Sequence, residues 1–85
     1  MPIVTILGPR QSGKTTLAKT LFPHKPYFNF EMLDVRAMAL EDPKGFLRKV
    51  PEGAVFDEIQ EVPELLSYLL PFVDESGKND LFVLT

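Results

Sequence analysis

Cysteine is absent from this 85-residue chain, so disulfides, thiolate metal sites and cysteine nucleophiles are all excluded. One histidine, His24 in "FPHKPY", cannot build a His-rich metal cluster and is expected in a surface turn. No apolar run approaches membrane-spanning length, and the N-terminus lacks the charged-then-apolar pattern of a secretion signal. A cytoplasmic protein without a membrane partner is the expectation. Basic residues are the minority, 9 against 12 acidic for a net charge of −3. They are scattered from Arg10 to Lys78, so no basic stripe follows a phosphate backbone and this segment carries no nucleic-acid signal. Linkers, low-complexity tracts and internal repeats are missing too. What remains is 45% hydrophobic and 25% charged, the composition of one small globular domain.

Short apolar runs alternate with helical patterns. "IVTIL" (3–7) is a continuous β-branched run, as in a strand buried on both faces. Helical spacing follows, pairing Leu17 with Leu21 and Ala18 with Phe22, until Pro23 stops it. "YFNFEM" (27–32) reads as a second strand, and "DVRAMALED" as a helix capped by Asp34. Asp42-Pro43 then opens a short helix with the N-cap and Pro-at-N1 signal. "GAVFDEI" (53–59) is the third strand. "VPELLSYLLPFVDES" is a helix with Pro63 near N1 and Leu66, Leu69, Leu70 and Val73 on one face; Pro71 is expected to kink it or end its regular part. "DLFVLT" (80–85) is the fourth strand. Strand–helix alternation implies right-handed crossovers and a mainly parallel sheet covered on both faces, an α/β fold.

The chemistry concentrates in "GPRQSGKTT". Gly8, Pro9, Arg10, Gln11, Ser12, Gly13, Lys14 and Thr15 fit G-x-x-x-x-G-K-[ST], the phosphate-binding loop. Gly8 lets the chain leave the strand sharply, and Gly13 lets backbone approach the phosphates. Backbone N–H groups and the positive end of the next helix cradle a multiply charged anion. Lys14 reaches the β- and γ-phosphates, and the Thr15 hydroxyl ligates Mg²⁺. Thr16 joins the nucleotide-binding set, with capping or packing beside the loop as its alternative. The same three letters recur as Ser76-Gly77-Lys78. There no apolar strand leads in, Phe72 stands where the first glycine belongs, and Asn79 follows the lysine; it reads as a turn.

"AVFDEIQ" places Asp57 and Glu58 at the carboxyl end of an apolar strand, the edge where parallel sheets bind ligands. Asp57 there can hold Mg²⁺, and Glu58 can orient or deprotonate the water attacking the γ-phosphate, a catalytic role shared with Lys14. Gln60 occupies the glycine position of the GTPase D-x-x-G pattern, and no arginine-rich kinase lid is visible. The pair favours ATP hydrolysis. A P-loop small-molecule phosphotransferase and a non-catalytic, nucleotide-dependent interaction module remain open as alternatives.

Four segments, Gly8 to Leu17, "LEDPKGFL" (40–47), "FDEIQEVPELLSYL" (56–69) and the closing "FVLT", resemble the prokaryotic AAA-type ATPases. The match is closer to the family whose ATPase domain is joined to a C-terminal domain of unknown function. The resemblance spans the chain. It implies a P-loop NTPase three-layer sandwich with strand order 1-4-3-2 and a fifth strand beyond the first. It also makes Gly8–Thr15 the Walker A loop, Asp57-Glu58 the Walker B pair, and 81–85 the strand leading into sensor 1.

On that resemblance, 1–85 is a partial AAA-type ATP-binding domain, with sensor 1, an arginine finger, lid and C-terminal domain lying beyond Thr85. ATP and Mg²⁺ are the expected ligands. Turnover is expected from the longer protein and little or none from this chain, whose first-strand edge leaves homo-oligomerisation open. The phenylalanines at 22, 28, 30, 46, 56, 72 and 82 are expected in the core, Tyr68 against a helix face, and Glu31 in solvent.

Overall fold

The computed structural model describes residues 3–6, 13–76 and 82–85. In chain order these form β1 (Ile3–Thr5), α1 (Lys14–Leu21), β2 (Tyr27–Asn29), α2 (Leu33–Glu41), α3 (Pro43–Arg48), β3 (Val55–Asp57), a 3₁₀ turn (Ile59–Glu61), α4 (Pro63–Ser76) and β4 (Phe82–Leu84). The sheet is β1-β4-β3-β2 with every pair parallel. This is the α/β architecture and the strand order expected of a P-loop NTPase-like fold. No helix among the described residues is long and apolar enough to cross a membrane. The turn expected at Gly77-Lys78-Asn79 lies outside the described residues.

Strand periodicity divides the core in two. Phe56, Phe82 and Leu84 face α2, α3 and α4, joining Phe30, Ala39, Phe46, Leu47, Leu65, Leu69 and Val73 in the larger cluster. Val55 and Val83 face the other way, where Ala18 of α1 closes a smaller cluster edged by Ile6, Phe22 and Tyr27. Phe56 is the hub of the larger side: its ring meets Phe30 at 5.4 Å, Phe82 at 5.4 Å, Phe46 at 5.9 Å and Phe28 at 6.0 Å between centroids. The seven phenylalanines are core as expected, with Phe22, Phe28 and Phe72 at its margin. His24 and Glu31 are exposed.

Local structure departs from expectation at several points: β1 is half-buried with Thr5 exposed rather than buried on both faces, and β3 is confined to Val55–Asp57 within the expected 53–59. The second strand stops at Asn29 rather than Met32, because the Asn29 side chain accepts from the Glu31 amide at 2.9 Å and turns the chain. That early turn starts α2 at Leu33 with Met32 as cap, so Asp34 is not the N-cap. It sits in the first turn instead, where a carboxylate meets the positive helix end. Asp42 does cap α3, accepting from the Gly45 amide at 3.1 Å with Pro43 at the first helical position.

On α4, the buried stripe is Leu65, Leu69 and Val73, preceded by Val62, with Leu66 half-buried. Leu70 is 58% exposed, since one residue beyond Leu69 lies about 100° around the helix. Pro71 does not end α4, which continues to Ser76. Its missing N–H deprives the Ser67 carbonyl of a helical donor, and Ser67 is exposed, where water can supply one.

Phe56→Ala is expected to destabilise the chain by about 3–5 kcal/mol, the usual cost of a large core cavity. Leu70→Ala is expected to cost less than about 0.5 kcal/mol, as a surface change. Denaturant unfolding of the two variants checks the orientation of β3 and α4 together; equal losses would contradict it.

Candidate functional site

The described site residues collect at the carboxyl edge of the sheet. Gly13 caps α1 with φ +87°, a left-handed conformation that glycine enters without strain. Lys14 and Thr15 follow in the first turn, both half-buried, and Thr16 is exposed. Gly8, Pro9, Arg10, Gln11 and Ser12 lie outside the described residues. Asp57 ends β3, and Glu58 follows it; both are buried.

Structure brings together one pair that lies 42 residues apart: the Thr15 hydroxyl donates to Asp57 Oδ2 at 2.8 Å. Two further hydroxyls converge on the same carboxylate. Tyr27 donates to Oδ2 and Thr85 to Oδ1. Thr85 is the neighbour across the sheet, because Phe56 pairs with Leu84 and the ladder continues through the Thr85 amide to the Phe56 carbonyl at 3.0 Å. Tyr27 pairs with Val55, two residues short of Asp57. The phenol spans that offset of roughly 6.6 Å along the strand.

Sequence reasoning misses both partners. The strand order that places β4 beside β3 would have found Thr85. The polar tip of a strand tyrosine, which needs a partner when buried, was the signal for Tyr27.

Electrostatics follow from this geometry. Burial, the largest influence, pushes the Asp57 carboxyl upward. The hydroxyls of Thr85, Tyr27 and Thr15 and the Glu58 backbone outweigh it and hold the carboxyl below its ordinary 3.8. Burial and then the bond to Asp57 drive the Tyr27 phenol well above its usual 10, so it remains a donor. Glu58 takes a left-handed backbone, φ 57° and ψ 46°, uncommon for a side-chain-bearing residue. The Ile59 amide bonding the Thr85 carbonyl at 3.2 Å ties that turn to β4. Gln60, read in the sequence only as a missing glycine, donates its amide to Glu58 Oε1 at 2.6 Å.

The donor set suits Mg²⁺. A hydroxyl and an ionised carboxylate are hard oxygen ligands, and this ion keeps several waters and takes its other oxygens from phosphates. It therefore needs no cluster of three or more His, Asp or Glu, and none exists among the described residues.

Because the Asp57 carboxyl is depressed on folding, its contribution to stability is complete above the ordinary carboxylate value. It is lost as pH falls through the lower, folded-state value. Asp57→Asn is expected to remove that part of the acid sensitivity, seen as a flatter slope of unfolding free energy against pH below about 4. An unchanged slope would rule out the hydroxyl-held anion.

Among known protein families, residues 1–85 match the AAA domain. Two curated proteins described as uncharacterised, from Mycobacterium bovis and Mycobacterium tuberculosis, are each 36% identical to it over 74 residues. The match covers 86% of this chain but 17% of each relative, so the chain spans about a sixth of their length. No solved structure matches. With the family match running the length of the chain and the sheet in the order 1-4-3-2, the chain belongs to the AAA domain family and is a nucleotide-binding domain of AAA type.

Proposed function

We propose that residues 1–85 are the part of an ATP-binding domain that runs from the Walker A loop to the sensor 1 strand. In the whole protein this domain binds ATP·Mg²⁺ and hydrolyses it. The observation that carries the reading is the Thr15–Asp57 contact at 2.8 Å. It joins the first turn after the phosphate-loop motif to the end of an apolar strand, as a shared metal site requires. Phosphate loops match by accident in roughly one chain of this length in several hundred. An accidental match has no reason to set its threonine against a strand-end aspartate.

In this reading Gly8, Pro9, Arg10, Gln11, Ser12 and Gly13 wrap the phosphates with backbone N–H groups, with Thr16 beside them. Lys14 neutralises charge on the γ-phosphate. Thr15 and Asp57 would hold Mg²⁺, which would supply positive charge to offset that of the phosphates. Glu58, steadied by Gln60, accepts a proton from the water that attacks the γ-phosphorus as ADP leaves. The parent protein is expected to work in the cytoplasm, where ATP and Mg²⁺ are supplied. Turnover by the present chain alone is expected to be little or none.

Lys14→Ala is expected to abolish ATP binding measurable by calorimetry. Glu58→Gln should retain binding but slow hydrolysis by the whole protein about 10²–10⁴-fold, the usual worth of a positioned base. Equal ATP affinity with and without the Lys14 amine would remove the cradle assignment. ADP formation that depends on an added acceptor, with the phosphoryl group recovered on that acceptor and no phosphate released, would favour a phosphotransferase.

A further inference from the structure

Tyr27 stands in a position that core packing alone does not explain. Its ring lies at the margin of the smaller cluster, and its hydroxyl leaves the apolar surroundings to reach Asp57 Oδ2. That oxygen also accepts the Thr15 hydroxyl. Thr15 and Lys19 are four residues apart and share a face of α1. One turn beyond the Thr15 contact, Lys19 Nζ sits 4.2 Å from the centroid of the Tyr27 ring, within cation–π range. Two successive turns of the phosphate-loop helix therefore meet the same tyrosine–aspartate pair, one at the carboxylate and the other at the ring. On the opposite side, Thr85 holds Oδ1.

An aspartate on a strand end has two side-chain torsions to fix. Mg²⁺ tolerates little deviation from octahedral geometry, so the aim of that carboxylate matters more than its mere presence. Thr85 steadies one oxygen. The other faces Thr15, whose hydroxyl becomes a metal ligand in the proposed function and then has different work to do. The Tyr27 hydroxyl is the remaining side-chain donor on that oxygen among the described residues. Phenylalanine would fill the same space and leave the oxygen without it.

We propose that Tyr27 is a positioning residue for metal–nucleotide binding: its hydroxyl aims the Asp57 carboxylate at the Thr15 side of the site, and Lys19 holds the ring in place. Tyr27 acts through Asp57 and touches neither nucleotide nor metal. The inference rests on the reading of Asp57 and Thr15 as the metal-holding pair. It goes beyond that reading in assigning β2 and the second turn of α1 to the site.

The test is ATP binding by calorimetry on the full chain, with MgCl₂ titrated and again in EDTA, for wild type, Tyr27→Phe and Lys19→Met. Tyr27→Phe is expected to raise the Mg²⁺ concentration giving half-maximal enhancement about ten- to hundredfold, the effect of losing one hydrogen bond to a charged group. Affinity for ATP in EDTA should stay at the wild-type value, while the thermal midpoint falls because a buried carboxylate has lost one donor. Lys19→Met should shift the Mg²⁺ requirement the same way by about two- to threefold.

An unchanged Mg²⁺ requirement in both variants would overturn the proposal. So would an equal loss of affinity with and without Mg²⁺, because that marks a general loosening of the loop. Should Tyr27→Phe fail to fold, Lys19→Met, a surface change, decides the question. If wild type binds no ATP under either condition, the proposed function itself falls, and this inference with it.

Discussion

A buried aspartate carboxylate and the three hydroxyls that satisfy it connect the parts of this structure that matter for chemistry. Taking an ionised carboxylate out of water is costly unless hydrogen bonds replace the lost solvent. Here the replacements come from separate pieces of the chain: Thr15 from α1, Tyr27 from β2, and Thr85 from the end of β4. Asp57 itself sits between the two strands that supply Tyr27 and Thr85. The carboxylate thus favours one arrangement of helix and sheet, and a different strand order would leave it without those donors.

The rigidity behind that centre comes from the other face of the same strand. Phe56, one residue before Asp57, points into the aromatic cluster under α2, α3 and α4. Strand alternation lets neighbouring residues do opposite jobs, one anchoring β3 in apolar packing and the next presenting a charge at the sheet edge. The division between the faces is unequal. The α1 side rests on Ala18, Val55 and Val83, whereas the opposite side holds most of the buried apolar volume. Four hydroxyl and carboxylate side chains therefore add specificity on the side where packing supplies least.

Just beyond Asp57 the chain turns through the left-handed conformation of Glu58. Such a backbone is disfavoured for a residue with a Cβ, and it persists because its surroundings fix it. The Ile59 amide bonds the Thr85 carbonyl, and Gln60 holds the Glu58 carboxylate. The acidic pair is consequently split. Asp57 belongs to the sheet, and Glu58 belongs to the turn leaving it.

Much of this is legible in sequence because it depends on local rules. A β-branched run followed by G-x-x-x-x-G-K-T names a strand and a helix start; Asp42-Pro43 names a cap; alternation names a parallel α/β sheet. The features that escape are those set by distance in space. Whether Leu70 or Leu65 faces the core depends on how α4 is rotated against the sheet, and the end of β2 depends on the Asn29 side chain bending its own backbone.

The sequence by itself determined that a phosphate-loop motif and an acidic strand end are present, since both are patterns of neighbouring residues. Only the tertiary structure decided that Tyr27 and Thr85 share Asp57 with Thr15. Strand order and register bring residues 28 and 30 positions away within a hydrogen bond of that carboxylate, and no local pattern records such an encounter.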